Sequence, residues 1–225
     1  RVQYYKDGEV LYHVDLAIYA DENSDGRTYL SWGKPTSATA DKKWEISEPQ
    51  ALKDKINKRF KNSDDQQQMK RVIRYLKRWK DIKFKNTGNG KPTGIALTAL
   101  AYNLFTPQID RDTFSSTTTP KDLLALKNLV ERILQQFDWF GKITVKLPVA
   151  PGNNLFKKMK EGHFKRFKEK LEALQKALRE AEKEPDPHKA SKILIKQLGD
   201  DFPEVDKDRS GQKRSEAFPG KSESA

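Results

Sequence analysis

Apolar residues stand two apart in the first twenty positions, and three or four apart from residue 47 onward. Val10, Tyr12, Val14, Leu16 and Ile18 alternate along 10–20, the period of a half-buried strand. The opposite face reads Leu11, His13, Asp15, Ala17 and Tyr19. Residues 2–5 supply a first strand, and Asp7-Gly8 between the two is a strong two-residue turn signal. A lone hairpin is marginal in water, so further strands are expected. RTYLSW (27–32) is a candidate, while GKITVKLP (141–148) reads either as a strand or as an extended link. With so few partners the sheet reads as incomplete.

The helical period begins with SEPQALKDKINKRF, where Ser47 is a candidate N-cap, Pro49 sits in the first turn, and Leu52, Ile56 and Phe60 repeat every four residues. A helix over 66–81 follows, with Met69, Val72, Ile73, Leu76 and Trp79 as its apolar stripe. NTGNGKPTG breaks it. IALTALAYNLF is apolar nearly all round and predicts a buried central helix. PKDLLALKNLVERILQQF buries Leu126, Leu129, Val130, Ile133 and Phe137. GHFKRFKEKLEALQKALREAE buries Phe164, Phe167, Leu171, Leu174, Leu178 and Ala181. HKASKILIKQLG closes the bundle, with Gly199 as C-cap. After Phe202-Pro203 the chain turns charged and Ser/Gly-rich, the composition of a disordered tail, in which Phe218-Pro219-Gly220 is a candidate docking point.

Composition narrows the function classes. The chain has 225 residues, 35% hydrophobic and 34% charged, enough for one large or two small domains with a wet surface. It has no cysteine, which excludes disulfides and thiolate metal sites and fits a cytoplasmic, reducing compartment. No apolar run approaches the roughly 20 residues of a membrane span, so no membrane partner is expected. Net charge of +12 favours polyanions such as nucleotides or nucleic acid.

Asp15 is the first candidate for chemistry, because a carboxylate in a half-buried strand is costly unless it is paired or holds a metal. A solvent-facing edge aspartate is the plainer reading. On the helix at 66–81, Arg74 and Lys77 lie three apart, flanked by Lys70 and Arg78, and form a basic ridge suited to phosphate. A solvated face is the alternative. Thr93, in GKPTGIAL, either caps the next helix or offers its hydroxyl and the helix-end amides to an anion. GNGKPTG lacks P-loop spacing and follows no strand. His13, His163 and His188 lack metal-ligand spacing. Lys70, Lys77, Lys80, Lys83 and Lys85, interleaved with Trp79 and Phe84, offer a weaker nucleic-acid reading, since the aromatics fit the core stripe better.

The order of these segments resembles a family. The strand VDL, then W-x-x-S-x-P-x-x-L, RVIRYLKRW, KPTGIALTAL, LPVAPGNNLFKKM, a long helix and LGDDFP are similar to the bacterial cGAS/DncV-like nucleotidyltransferases, the cyclic-oligonucleotide synthases of anti-phage CBASS systems. A fainter resemblance runs to oligoadenylate synthases. The likeness implies an α+β fold, with a partial nucleotidyltransferase (polymerase-beta-like) sheet packed on an oligoadenylate-synthase-like helical bundle. The expected divisions are 1–46 for the C-terminal part of the nucleotidyltransferase core, 47–203 for the helical lobe and 204–225 for the tail. The resemblance also implies ATP and other NTPs as substrates and Mg²⁺ (or Mn²⁺) as cofactor. Asp15 matches the third metal-binding carboxylate, Arg74 and Lys77 match residues that reach nucleotide phosphates, and Thr93 matches a phosphate-touching hydroxyl.

The departure lies at the start. The family's Gly-Ser motif and Asp-x-Asp pair precede the third carboxylate, and only fourteen residues precede Asp15 here. The expectation is a fragment of a synthase, inactive by itself. In some of these systems an E1/E2-like enzyme joins the synthase's C-terminal residue to target proteins, which makes Ala225 a candidate conjugation terminus; a peptide-sensing regulator is another implied partner. Two other readings stand beside this one: a non-catalytic basic helical module binding nucleic acid or a protein, and a polyadenylating or oligoadenylate-type transferase.

Overall fold

In the computed structural model the described residues are 2–14, 16–20, 24–84, 90–112, 114 and 117–207. The described parts of Arg1–Ile56 with Leu147–Asn153 form one compact unit, and those of Asn57–Lys146 with Asn154–Ala225 form a second.

The first unit opens with the expected hairpin, β1 (Val2–Lys6) antiparallel to β2 (Glu9–Val14). Asp7 and Gly8 both take positive φ, 52° and 81°, the geometry that matches a tight turn to the strand twist. The strand expected over 10–20 is divided, however. Its first part pairs only with β1, while β3 (Tyr19–Ala20) joins β4 (Tyr29–Trp32) and β5 (Lys43–Ile46) in a separate antiparallel sheet ordered β3-β4-β5. Leu16 and Ile18 belong to no strand. The half-buried face is overturned with it: Val10, Tyr12, Val14, Leu16 and Ile18 are 43–67% exposed, because a two-stranded ribbon has no layer to bury them among the described residues. The strand at 27–32 holds. β5 has no alternation of its own and is fixed by its ladder, Tyr29 opposite Ile46 through Trp32 opposite Lys43. Helix α1 (Pro49–Asn57) begins after Ser47, whose amide donates to the Thr28 carbonyl at 2.9 Å, so Ser47 ends the sheet and does not cap the helix.

The second unit is a helical bundle of α2 (Ser63–Lys83), α3 (Gly94–Leu104), α4 (Asp122–Leu134), α5 (Glu161–Lys183) and α6 (Pro187–Leu198), with a short ribbon of β6 (Ile109–Arg111) and β7 (Thr118–Pro120) between α3 and α4. Every stripe residue expected on α2 and α5 is buried. α3 is buried from Ala96 to Ala101, matching its all-round apolar sequence. Residues 141–148 take the extended-link form, with an isolated β-bridge between Lys146 and Asn154 and with Ile143 and Val145 buried. An aromatic cluster centres on Phe167, whose ring lies 5.6–6.4 Å from those of Phe156, Phe137, Phe84 and Trp79. Gly199 closes α6 at φ +86°, and a Cβ there would stand 2.6 Å from Ile82 Cδ1.

One polar network ties α2 to α4. Asp122, at the α4 N-terminus, accepts from Arg71 Nε at 2.6 Å and Nη2 at 3.0 Å, and from Gln68 at 3.2 Å. Burial pushes the Asp122 carboxyl up, but the bonds from Arg71 and Gln68 and the guanidinium charge outweigh it and hold the group below its usual 3.8. A depressed folded value means the contribution to stability is complete above about pH 4 and is lost as pH falls through the folded value. Asp122→Asn is therefore expected to cost about 2 kcal/mol at neutral pH, because charge-assisted bonds are lost. The deficit should shrink as pH falls through the folded value; denaturant titrations at neutral and at acid pH check this, and an equal loss at both would refute the ionic origin.

Candidate functional site

The candidate site in the second unit forms where α2 passes the start of α3. Asn62 caps α2 through its side chain, which accepts from Asp64 N at 2.8 Å and fixes the helix phase. With Met69, Val72, Leu76 and Trp79 turned into the core, Arg74 is left exposed and Lys77 half-buried. Neither side chain has a carboxylate or hydrogen-bond partner among the described residues. The Lys77 stem lies along the first turn of α3, where a Cβ on Gly94 would stand 3.6 Å from Lys77 Cε and 3.9 Å from Cδ.

Thr93 is the α3 N-cap, its Oγ1 accepting from Ala96 N at 3.2 Å. The hydroxyl proton is left over for another acceptor. The amides of Gly94 and Ile95 have no partner among the described residues. A helix N-terminus carries partial positive charge, which disfavours a neighbouring cation. Arg74, Lys77 and the α3 amides therefore leave a positive concentration that an anion would relieve. Gly90, three residues before Thr93, is buried against His163 at the start of α5: a Cβ there would stand 2.9 Å from His163 Cδ2. That close approach fixes the turn leading into Thr93.

Arg78 of the expected ridge, and Lys80 and Lys83 of the nucleic-acid reading, are committed elsewhere. Arg78 donates to the Leu198 carbonyl at 2.9 Å and pairs with Asp201, so it anchors the end of α6. Lys80 pairs with Asp81 at 2.9 Å. Lys83 Nζ donates to the Lys196 carbonyl at 2.6 Å, and burial together with Lys170 pulls its pKa down. Trp79 and Phe84 are fully buried, which removes the aromatic half of the nucleic-acid reading on this helix. Lys85 lies outside the described residues, as do Asp15 and the tail with Phe218 and Ala225. His188 holds the segment that follows α6, its Nδ1 standing 2.6 Å from the Val205 carbonyl oxygen. Among the described residues no group of three or more His, Cys, Asp or Glu is placed to hold a metal ion. The contact of Lys77 with Gly94 joins positions seventeen apart, and no sequence spacing reports it.

A small antiparallel sheet and a helical bundle make this an α+β chain, and comparison with solved structures gives the same fold. No known family profile matches the chain. The dinucleotide cyclase DncV of Vibrio cholerae, solved with GTP and 5MTHFGLU2, superposes with a TM-score of 0.57 over 81% of this chain and 42% of its own, at 21% identity. The same organism's DncV cyclic AMP-GMP synthase, with the linear intermediate 5′ pppA(3′,5′)pG, gives 0.59 over 83% and 47%, at 20% identity. Escherichia coli DncV in its 3′-deoxy GTP bound form gives 0.57 over 82% and 45%, at 19% identity. In sequence, the chain is 40% identical over 76 residues to a cyclic GMP-AMP synthase of Escherichia albertii, covering 34% of this chain and 17% of that protein. The cGAS/DncV-like resemblance and the α+β fold read from the sequence are thus shown. The chain spans less than half the length of each of these relatives. Among the described residues no helix is long and apolar enough to cross a membrane.

Proposed function

We propose that this chain is part of a cyclic-dinucleotide synthase, a nucleotidyltransferase that joins NTPs with release of pyrophosphate in bacterial anti-phage signalling. One observation in the structure carries the reading. Lys77, without a partner among the described residues, lies along the first turn of α3 with its free amides, and Arg74, likewise unpartnered and exposed, stands one helical turn before it on α2, a combination suited to a triphosphate. The fold supports it, and so do the relatives' names, since the V. cholerae protein is solved with GTP and with a linear pppApG intermediate.

In this reading Arg74 forks onto phosphate oxygens, Lys77 supplies a point charge, and Thr93 donates its spare hydroxyl proton while keeping its capping bond. Mg²⁺ (or Mn²⁺) would supply the Lewis acidity that activates a sugar hydroxyl and the leaving pyrophosphate. Asp15 is the one ligand this chain is proposed to contribute, and the described residues offer no further cluster. The positive site binds and orients the triphosphate, which lowers the entropic part of the barrier.

The test uses the natural polypeptide that carries this chain, supplied with ATP, GTP and Mg²⁺. Asp15→Asn is expected to abolish cyclic product while leaving the melting temperature within a few degrees. Product at the wild-type rate would remove Asp15 from the chemistry. Linear products alone from the wild type would favour the oligoadenylate-type reading. This chain by itself is expected to bind nucleotide without turning it over.

A further inference from the structure

The first unit has a cleft of its own. Trp32 and Trp44 are 47% and 55% exposed, an unusual amount of indole to leave in water. With Gly33, Lys34, Lys42 and Lys43 they line an open cleft of about 370 Å³ at the end of the β4–β5 ladder. That volume lies in the range of small-ligand sites.

The cleft is held in shape by its own backbone. Gly33 has φ +105°, and a Cβ there would stand 3.0 Å from Lys42 Cγ and 3.2 Å from the Asp41 carbonyl oxygen, so the two chain segments touch just beyond the ladder. Lys42 Nζ donates to the Pro35 carbonyl at 2.8 Å and the Lys34 amide donates to Ser37 Oγ at 2.9 Å. These bonds fix the 33–42 loop without neutralising a charge. Lys43 stands directly opposite Trp32 in the ladder and has only a loose carboxylate partner, Glu45 at 3.8 Å. Lys34 has no ion pair among the described residues.

Directly opposite residues share a face, so Trp32 stands with Lys43 and Trp44 stands on the reverse face with Ser31. The cleft at the ladder's end is bordered by both indole and lysine, which fits a ligand with a flat π-face and negative charge together. An acidic peptide would use the lysines and leave the indoles wet. We propose that Trp32, Trp44, Lys34, Lys42 and Lys43 form a binding cleft for a nucleoside phosphate, the base stacked on indole and the phosphate on the lysines. The ligand is either a free mononucleotide or one residue of a single-stranded nucleic acid.

Calorimetric titration of the full chain tests this in magnesium-free buffer containing EDTA, with GMP and with an oligothymidylate of eight residues as probes. At least one probe is expected to bind saturably. Trp44→Ala should weaken it about tenfold or more, as stacking energies imply, and Trp44→Phe should retain most of the affinity. Lys34→Glu should weaken it severalfold. Saturable GMP binding identifies the free nucleotide, and binding of the oligomer alone identifies a nucleic-acid strand. If Trp44→Ala proves unfolded by circular dichroism, Trp44→Phe and Lys34→Glu decide between them. Binding of neither probe, or binding that Trp44→Ala and Lys34→Glu leave intact, overturns the proposal. This cleft is read by Trp44→Ala and Lys34→Glu in magnesium-free buffer, and the triphosphate reading by the Mg-ATP affinity of Lys77→Ala, so failure of one and failure of the other are distinguishable.

Discussion

Replacing Lys77 with alanine is expected to raise the dissociation constant for Mg-ATP roughly ten- to a hundredfold, the value of one charge-assisted contact to phosphate. Arg74→Ala should act similarly, and the double variant should lose roughly a thousandfold or less, because adjacent contacts to one ligand are not additive. Stability should hardly change. Arg74 is exposed, Lys77 is half-buried, and neither has a partner among the described residues to leave behind. Lys77→Arg is an informative control: it keeps the charge but must fit a wider head alongside Gly94, so partial recovery is expected. Nucleotide titration with a thermal melt of each variant checks both halves. Unchanged affinity in the double variant would remove α2 from phosphate binding, and a melt lowered in step with affinity would make the two residues structural.

The largest effect on stability is expected from Phe167→Ala. Phe167 is 0% exposed, and its ring meets four other aromatic rings contributed by α2, its own flank and the segments before α5. Removing it costs its transfer free energy plus the cavity left behind, about 3–5 kcal/mol. For a chain of this size that corresponds to a fall in melting temperature of roughly 10 °C. Phe167→Leu should recover more than half of the loss, since it keeps most of the volume. Phe140→Ala, at a ring 78% exposed, should move the melt by less than about 1 kcal/mol. Equal losses at positions 140 and 167 would contradict the cluster's place at the centre of the bundle.

The helical half of the fold was legible residue by residue. Met69, Val72, Ile73, Leu76 and Trp79 on α2, and Phe164 through Ala181 on α5, repeat at a period that only one buried face of a helix produces, and each is buried. Thr93 before an apolar run was legible as a cap for the same local reason. The β half was less so. The run over 10–20 alternates like a single half-buried strand, yet its two ends pair in different sheets, and burial depends on layers that alternation cannot count. β5 carries no periodic signal, because Lys43, Trp44 and Glu45 become a strand only by lying against β4.

The candidate site divides the same way. Helical spacing alone placed Arg74 and Lys77 on one ridge, and it grouped Arg78 with them. Tertiary contacts separated the three: Arg78 reaches across to Leu198 and Asp201, while Lys77 lies along Gly94. The partnership of Arg71 with Asp122, fifty-one positions apart, and the Trp32–Trp44 cleft have no trace in linear spacing. The sequence by itself determined which residues turn inward along α2 and α5, the caps at Thr93 and Gly199, and the surplus of positive charge, because period, capping and composition are local or additive properties. Which cations remain open for a ligand, which strands share a sheet and which aromatics meet were decided only in the tertiary structure. Those outcomes depend on competition between distant groups for the same carboxylate, carbonyl or apolar surface.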